Sequence, residues 1–241
     1  MRVFLILGMF TASLTNAAWR DYEEVRNLTL DADEVNTVEI EAGAGSLDVR
    51  GNPGARTISV TALIQVPGKS DEKAQKIIES DLVLTLERDG DTAVLIGYFD
   101  SSPLGWDDNP SVHLEVEVPE SVGLDIEDGA GSIEIRDVLG QIIVEDGSGS
   151  LQMTNIGGEV RVIDGSGSIS IEHVGGDLSI EDGSGSITVQ DVRGSVVIDD
   201  GSGSINVSDV DADLIIEDDS SGSLNLMRAW IFPLFRTAFT N

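Results

Sequence analysis

Aspartates return at a spacing of 18 residues through the second half of this chain: Asp128, Asp146, Asp164, Asp182, Asp200 and Asp218. Gly-Ser-Gly-Ser usually follows them. A carboxylate in such a setting can hold a hard cation, accept hydrogen bonds from the backbone of a tight turn, or offer charge to a ligand. If successive repeats stack like strands of a parallel sheet, the carboxylates lie about 4.8 Å apart. Two unit charges at that distance repel by about 0.9 kcal/mol in water and about 3.5 kcal/mol at an effective dielectric constant of 20. Something must relieve such a ladder. Capping of the Gly-Ser-Gly turns is the leading expectation. A Ca²⁺ column on Asp146, Asp164, Asp182 and Asp200 is the second, and a ligand-recognition stripe the third. The calcium-binding solenoid repeat G-G-x-G-x-D-x-U-x fits poorly, because the order here is Asp-Gly-Ser-Gly-Ser.

Two further polar files keep the same period. Asp137, Asn155, His173, Asp191 and Asp209 form one, read as solvated turn residues, with His173 a remote metal ligand. Glu127, Glu145, Glu181, Asp199 and Glu217 form the other, an acidic flank. Asp100, Trp106, Asp107, Asp108 and His113 gather in sequence as the one place where a catalytic cleft could arise, although an ordinary loop is expected there. No Ser/His/Asp pattern, cysteine nucleophile or phosphate loop is present, so no catalytic residue is assigned. With no cysteine and two histidines, zinc sites of the usual Cys/His kind are excluded.

The elements that would position these residues follow from the repeat. Counting a unit from its first apolar residue, such as Ile169, apolar side chains fall at positions 1, 3, 6, 10 and 12: Ile169, Ile171, Val174, Leu178 and Ile180. The two pairs at period 2 imply two short strands with inward side chains. Glycines at positions 8 and 17 sit where the chain reverses and positive φ is useful. One unit cannot bury its apolar face, but a stack can. The expected fold is all-β: a parallel β-solenoid (β-helix) with 18-residue coils, capped N-terminally by a strand-rich insertion containing one short helix. Residues 121–226 form the array. Residues 19–120 form the capping region, with a polar lead-in to Thr37 and a first coil near 38–51, where Glu41–Gly51 matches the run from Glu127. Strands are expected over 57–66, 82–87, 93–98 and 112–118, and a helix over 70–80 with Ser70 as N-cap. Residues 227–241 are an apolar tail, expected to cover the end of the stack.

Charge narrows the partners. Fourteen Lys and Arg against 44 Asp and Glu give a formal net charge of −30. Nucleic acid and anionic membrane surfaces are therefore excluded as partners. Residues 1–18 read as a signal peptide: Arg2, an apolar run from Val3 to Leu14, then small residues at Ala17 and Ala18. That run is too short to span a bilayer, so no transmembrane span is expected in the mature chain. The expected location is exported, periplasmic or extracellular at the cell surface, without a cysteine for lipid attachment. Oligomeric state is not legible.

The run from Val118 through Leu124-Asp125-Ile126-Glu127-Asp128-Gly129-Ala130-Gly131-Ser132-Ile133, with the repeated Asp-Gly-Ser-Gly-Ser-Ile after it, resembles the bacterial putative-adhesin family. Its β-strand-repeat domain of unknown function is akin to the auto-transporter adhesin head (GIN) type. The resemblance covers about Val38 to Leu226. It implies an exported, non-enzymatic, adhesin-like β-solenoid of the cell envelope, and the expected partner is a cell-envelope protein or glycan, with no cofactor. Alternatives are a divalent-cation-dependent periplasmic binding protein and a glycan-active β-helix enzyme.

Overall fold

The structure, a computed structural model, describes residues 21–100, 109–219 and 222–227. The expected signal peptide, Trp106–Asp108 and the tail beyond Met227 lie outside the described residues. The first strand, β1 (Tyr22–Asp31), is followed by β2 (Thr37–Asn52), which is long enough to serve both sides of the stack. Val38 and Ile40 point inward from its first half, and Leu47 and Val49 from its second, with a corner at Ala42–Gly45 between. Strand β3 (Thr57–Val66) leads to helix α1 (Asp71–Asp81), then to β4 (Leu82–Asp89), β5 (Thr92–Phe99) and β6 (Ser111–Pro119). Strand β7 (Gly123–Arg136) returns parallel to β2, in register from Thr37 beside Gly123 to Arg50 beside Arg136. The sequence match between Glu41–Gly51 and the run from Glu127 is therefore a spatial pairing.

The segment between β2 and β7 stacks on the other side of β2. Strands β5 and β6 run parallel to its two halves. Strand β3 lies antiparallel on β6, β1 antiparallel on β3, and β4 antiparallel on β5. Helix α1 covers this end, burying Ala74 and Ile78 with Tyr22, Ile64 and Val66. Ser70 takes the extended N-cap conformation (φ −69°, ψ 150°), yet its side chain makes no capping bond, unlike the expectation. The lead-in also differs: β1 is a strand. Only Tyr22 and Leu28 of its ten residues are buried, so it carries no alternating signal to read.

Beyond β7 the chain alternates between two parallel ladders. One holds β8 (Ile142–Asp146), β10 (Val160–Asp164), β12 (Leu178–Asp182), β14 (Val196–Asp200) and β16 (Leu214–Asp219). The other holds β9 (Gly149–Ile156), β11 (Gly167–Val174), β13 (Gly185–Val192), β15 (Gly203–Val210) and β17 (Gly222–Met227). Up to β15 each strand lies beside its equivalent 18 residues on: Val160 pairs with Leu178, and Ile169 with Ile187. The architecture is all-β and solenoid-like, with apolar rows such as Ile135, Met153, Ile171, Val189 and Val207 buried between the ladders. Each such side chain stabilises the stack by roughly 1.5–3 kcal/mol.

The two glycine files do different work. Gly167 has φ +152°, and a Cβ there would fall 1.7 Å from the Gly149 carbonyl oxygen. Gly176, in the other file, is not at positive φ. It is there because a Cβ would come within 2.5 Å of the Gly158 carbonyl oxygen. In that second turn positive φ belongs instead to Asp137, Asn155, His173, Asp191 and Asp209, at 55° to 61°. Asn, Asp and His are the non-glycine residues that enter this region most readily.

The last repeat is one residue longer and absorbs the excess as a β-bulge after Ile198. Asp218 pairs with Asp199, and Asp219 with Asp200. Asp219, rather than Asp218, thus continues the backbone register of the aspartate file, because Glu217 is the extra residue on the bulged strand. The final level is open among the described residues: Leu214 is half-buried, and Ile215, Leu224 and Met227 are exposed.

Candidate functional site

The aspartate file forms a column inside the corner of the stack. Asp128 occupies the last inward position of the first half of β7, and Asp146, Asp164, Asp182 and Asp200 the final inward position of β8, β10, β12 and β14, continuing the apolar alternation. They are 0–9 % exposed, and among the described residues they are the buried charged side chains. The expected turn-capping is present. The Ser148 N–H donates to Asp146 Oδ1 (3.1 Å), Ser166 to Asp164 (3.2 Å), Ser184 to Asp182 (3.0 Å) and Ser202 to Asp200 (3.0 Å). The second oxygens of Asp146 and Asp182 are buried and meet no hydrogen-bond donor.

Burial is the main reason Asp128, Asp146, Asp164 and Asp182 hold protons more tightly than ordinary carboxyls. It pushes Asp128 up to about 7, helped by the charge of Asp146. It pushes Asp182 up to about 6, with Asp164 and Asp200 adding to the rise and the Ser184 N–H opposing it. Asp146 and Asp164 are raised too, chiefly by burial. A shallow surface hollow beside the column is lined by Glu127, Asp128, Glu145, Asp146 and Asp164. Among the described residues no group of three or more His, Cys, Asp or Glu side chains is placed to hold a metal ion.

The other sequence candidates separate. His173 lies in the positive-φ turn file, half exposed, 3.7 Å from Asp191. Asn155 donates to Asp137 one unit away (3.0 Å). Glu127, Glu145, Glu181, Asp199 and Glu217 face solvent. His113 ties strands together: the N–H (3.1 Å) and hydroxyl (2.9 Å) of Ser46 both reach its Nδ1. The ring hydrogen is then on Nε2, which donates to Gln65 Oε1 (3.0 Å). That role is structural, and the structure does not bring His113 to the aspartate column.

The outer face of the β9–β17 ladder was not singled out in the sequence. Its central file is Gln152, Ser170, Thr188, Asn206 and Asn225, of which Gln152, Thr188 and Asn225 are exposed and Ser170 and Asn206 half-buried, with the Asn225 amide donating to Asn206 (3.0 Å). Between the turns Glu172 is the one charged side chain on that face from β9 to β17. The opposite face is acidic, relieved at one place where Arg161 meets Glu181 (2.8 Å). The signal for this asymmetry was present, since positions 2 and 4 of each unit are mostly Ser, Thr, Asn or Gln.

No protein-family model matches the chain, and no curated protein matches it in sequence. Solved structures do match. One is a putative cell adhesion protein from Clostridium sporogenes ATCC 15579, 14% identical over 86% of this chain and 99% of that one, with a TM-score of 0.44. Another is a putative adhesin from Bacteroides fragilis NCTC 9343, 12% identical over 85% of this chain and 97% of that one, at 0.46. A putative adhesin from Parabacteroides distasonis ATCC 8503 is 7% identical over 85% and 97%, at 0.29. With every TM-score below one half, these likenesses carry no argument about what this chain does. No helix among the described residues is long and apolar enough to cross a membrane.

Proposed function

We propose that this chain is an exported, non-enzymatic β-solenoid of 18-residue coils. It acts as an adhesin-like binding or scaffold module of the cell envelope. Residues 1–18 direct export, and residues 227–241 cover the open end of the stack.

The observation that carries the reading is the neutral face. A chain with a net charge of −30 keeps the outer face of the ladder from β9 to β17 almost free of charge and lined with amides and hydroxyls. Such a surface offers hydrogen-bond donors and acceptors at a regular spacing of about 4.8 Å. That suits a neutral glycan or an extended protein surface. From β8 to β15 the turns alternate between two and three residues, so none of these turns overhangs this face to make a cleft.

The test is a glycan and envelope-protein binding screen with the mature chain and with Thr188→Arg, which puts a bulky charge in the middle of the neutral face. Binding lost in the folded variant supports the reading. Binding indifferent to Thr188→Arg, or cleavage of a polysaccharide by the wild-type chain, overturns it.

A further inference from the structure

The column leaves a hydrogen-bonding problem that its own turns cannot solve. The N–H groups of Gly147, Gly165, Gly183 and Gly201 donate across to the neighbouring unit, to the backbone carbonyls of Asp128, Asp146, Asp164 and Asp182, at 2.8–2.9 Å. The serine N–H groups are engaged on Oδ1. No donor is left for the buried Oδ2 of Asp146 or Asp182. No buried Lys, Arg or His faces the column among the described residues. The inward side chains of the facing ladder, such as Leu151, Ile169 and Ile187, are apolar. The nearest other charges, Glu127, Glu145, Glu181 and Asp199, point outward on the same strands and are themselves acidic.

We propose that the ligand of this column is the proton: neighbouring aspartic carboxyls share protons along the stack, so the folded chain carries neutral aspartates near neutral pH. A carboxyl protonated on Oδ2 becomes the missing donor and removes one charge. Asp146 and Asp182 occupy alternate levels, so protons there leave no two adjacent carboxylates both charged. The raised proton affinity of Asp128 and Asp182 points the same way, and the column titrates as a unit rather than residue by residue. The proposal is independent of the neutral face and of any partner.

The sign of the effect follows. Folded Asp182 and Asp128 hold protons up to about pH 6 and about pH 7, whereas the unfolded chain releases them near 3.8. Between those limits folding takes up protons, so stability rises as pH falls from about 7 toward about 4. Above pH 7 the full repulsion remains. Acidification therefore stabilises the stack, which makes the column a pH-responsive brace of the fold.

The experiment is a ¹³C NMR titration of the aspartate carboxyl carbons in the full chain. Thermal melts between pH 8 and pH 5 accompany it, for the wild type and for Asp182→Asn. The amide keeps an acceptor for the Ser184 N–H and supplies a permanent donor. At least two aspartate carbons are expected to titrate above about pH 5. The wild-type midpoint should rise on the order of 10 °C on acidification. The rise should shrink in Asp182→Asn. Aspartates that all titrate near the ordinary value overturn the proposal. So does a midpoint that falls in acid, an unchanged slope in the variant, or a Ca²⁺-induced rise in midpoint that abolishes the titration.

Discussion

Gly185→Ala is the substitution that most directly loads the stacking geometry. Gly185 opens β13 at φ +154°, and its N–H donates to the Ser202 carbonyl at 2.9 Å. A Cβ built there lies 1.7 Å from the Gly167 oxygen, 2.8 Å from its carbon and 3.2 Å from its nitrogen. All three are backbone atoms of the neighbouring unit, so no side chain can turn aside. Restoring an ordinary carbon–oxygen contact needs about 1.5 Å of separation, which takes the local ladder bonds out of range. An L-residue at this φ costs on the order of 1–3 kcal/mol. Two broken backbone hydrogen bonds add about 0.5–1.5 kcal/mol each. The expected loss is roughly 3–5 kcal/mol. Gly90→Ala is the control: φ is +63°, nothing lies within 4 Å of the added Cβ, and only about 1–2 kcal/mol of left-handed strain applies. Urea unfolding followed by circular dichroism measures both. If Gly185→Ala loses no more stability than Gly90→Ala, the close backbone stacking is wrong.

Three further outcomes are expected. Val174→Asp puts a charge where the wild-type side chain is 1 % exposed, and should abolish folding, whereas outward-facing Glu172→Lys should shift a thermal midpoint by little. Equal effects would show that inward and outward are misassigned. Deleting Glu217 removes the bulge and restores the 18-residue register of the last unit, so its urea midpoint should match or exceed the wild type. A loss of more than about 2 kcal/mol would mean that the bulge itself is structural. Neither calcium nor chelator should move the melting midpoint, since turn N–H groups cap the aspartates; a clear rise with calcium would restore the cation column.

Much of this fold is legible in the sequence because its unit repeats. Ile169, Ile171, Val174, Leu178 and Ile180 keep their spacing from unit to unit, and spacing is what period-2 strands and stacking act upon. The strand expected at Thr57–Val66 and the helix with Ala74 and Ile78 on one face are found for the same reason. Strand β1 escaped because it lies at the edge with Val25 exposed, and an edge strand with one thinly covered side has little alternation to show. The bulge was visible only as one residue too many; the spacing does not say that Glu217 is the one squeezed out. At the column, the period placed Asp146, Asp164, Asp182 and Asp200 together, and the turn-capping role was readable from Asp-Gly-Ser. Their inward direction was harder to read. A buried carboxylate is costly enough that an aspartate at a strand end is naturally taken to face water, and only the corner geometry turns it in.

The most direct test of the account uses the absence of cysteine from the native chain. Ser168 lies beside Ser186 in neighbouring units, so a Ser168→Cys/Ser186→Cys pair stands about 5 Å apart, within disulfide reach. Ser168→Cys/Thr188→Cys is displaced by two residues along the strand, about 8 Å, and beyond it. Under mild oxidation the first pair should close quantitatively in the folded chain and the second should not. Closure of the displaced pair, or failure of the aligned one, would contradict the 18-residue stack.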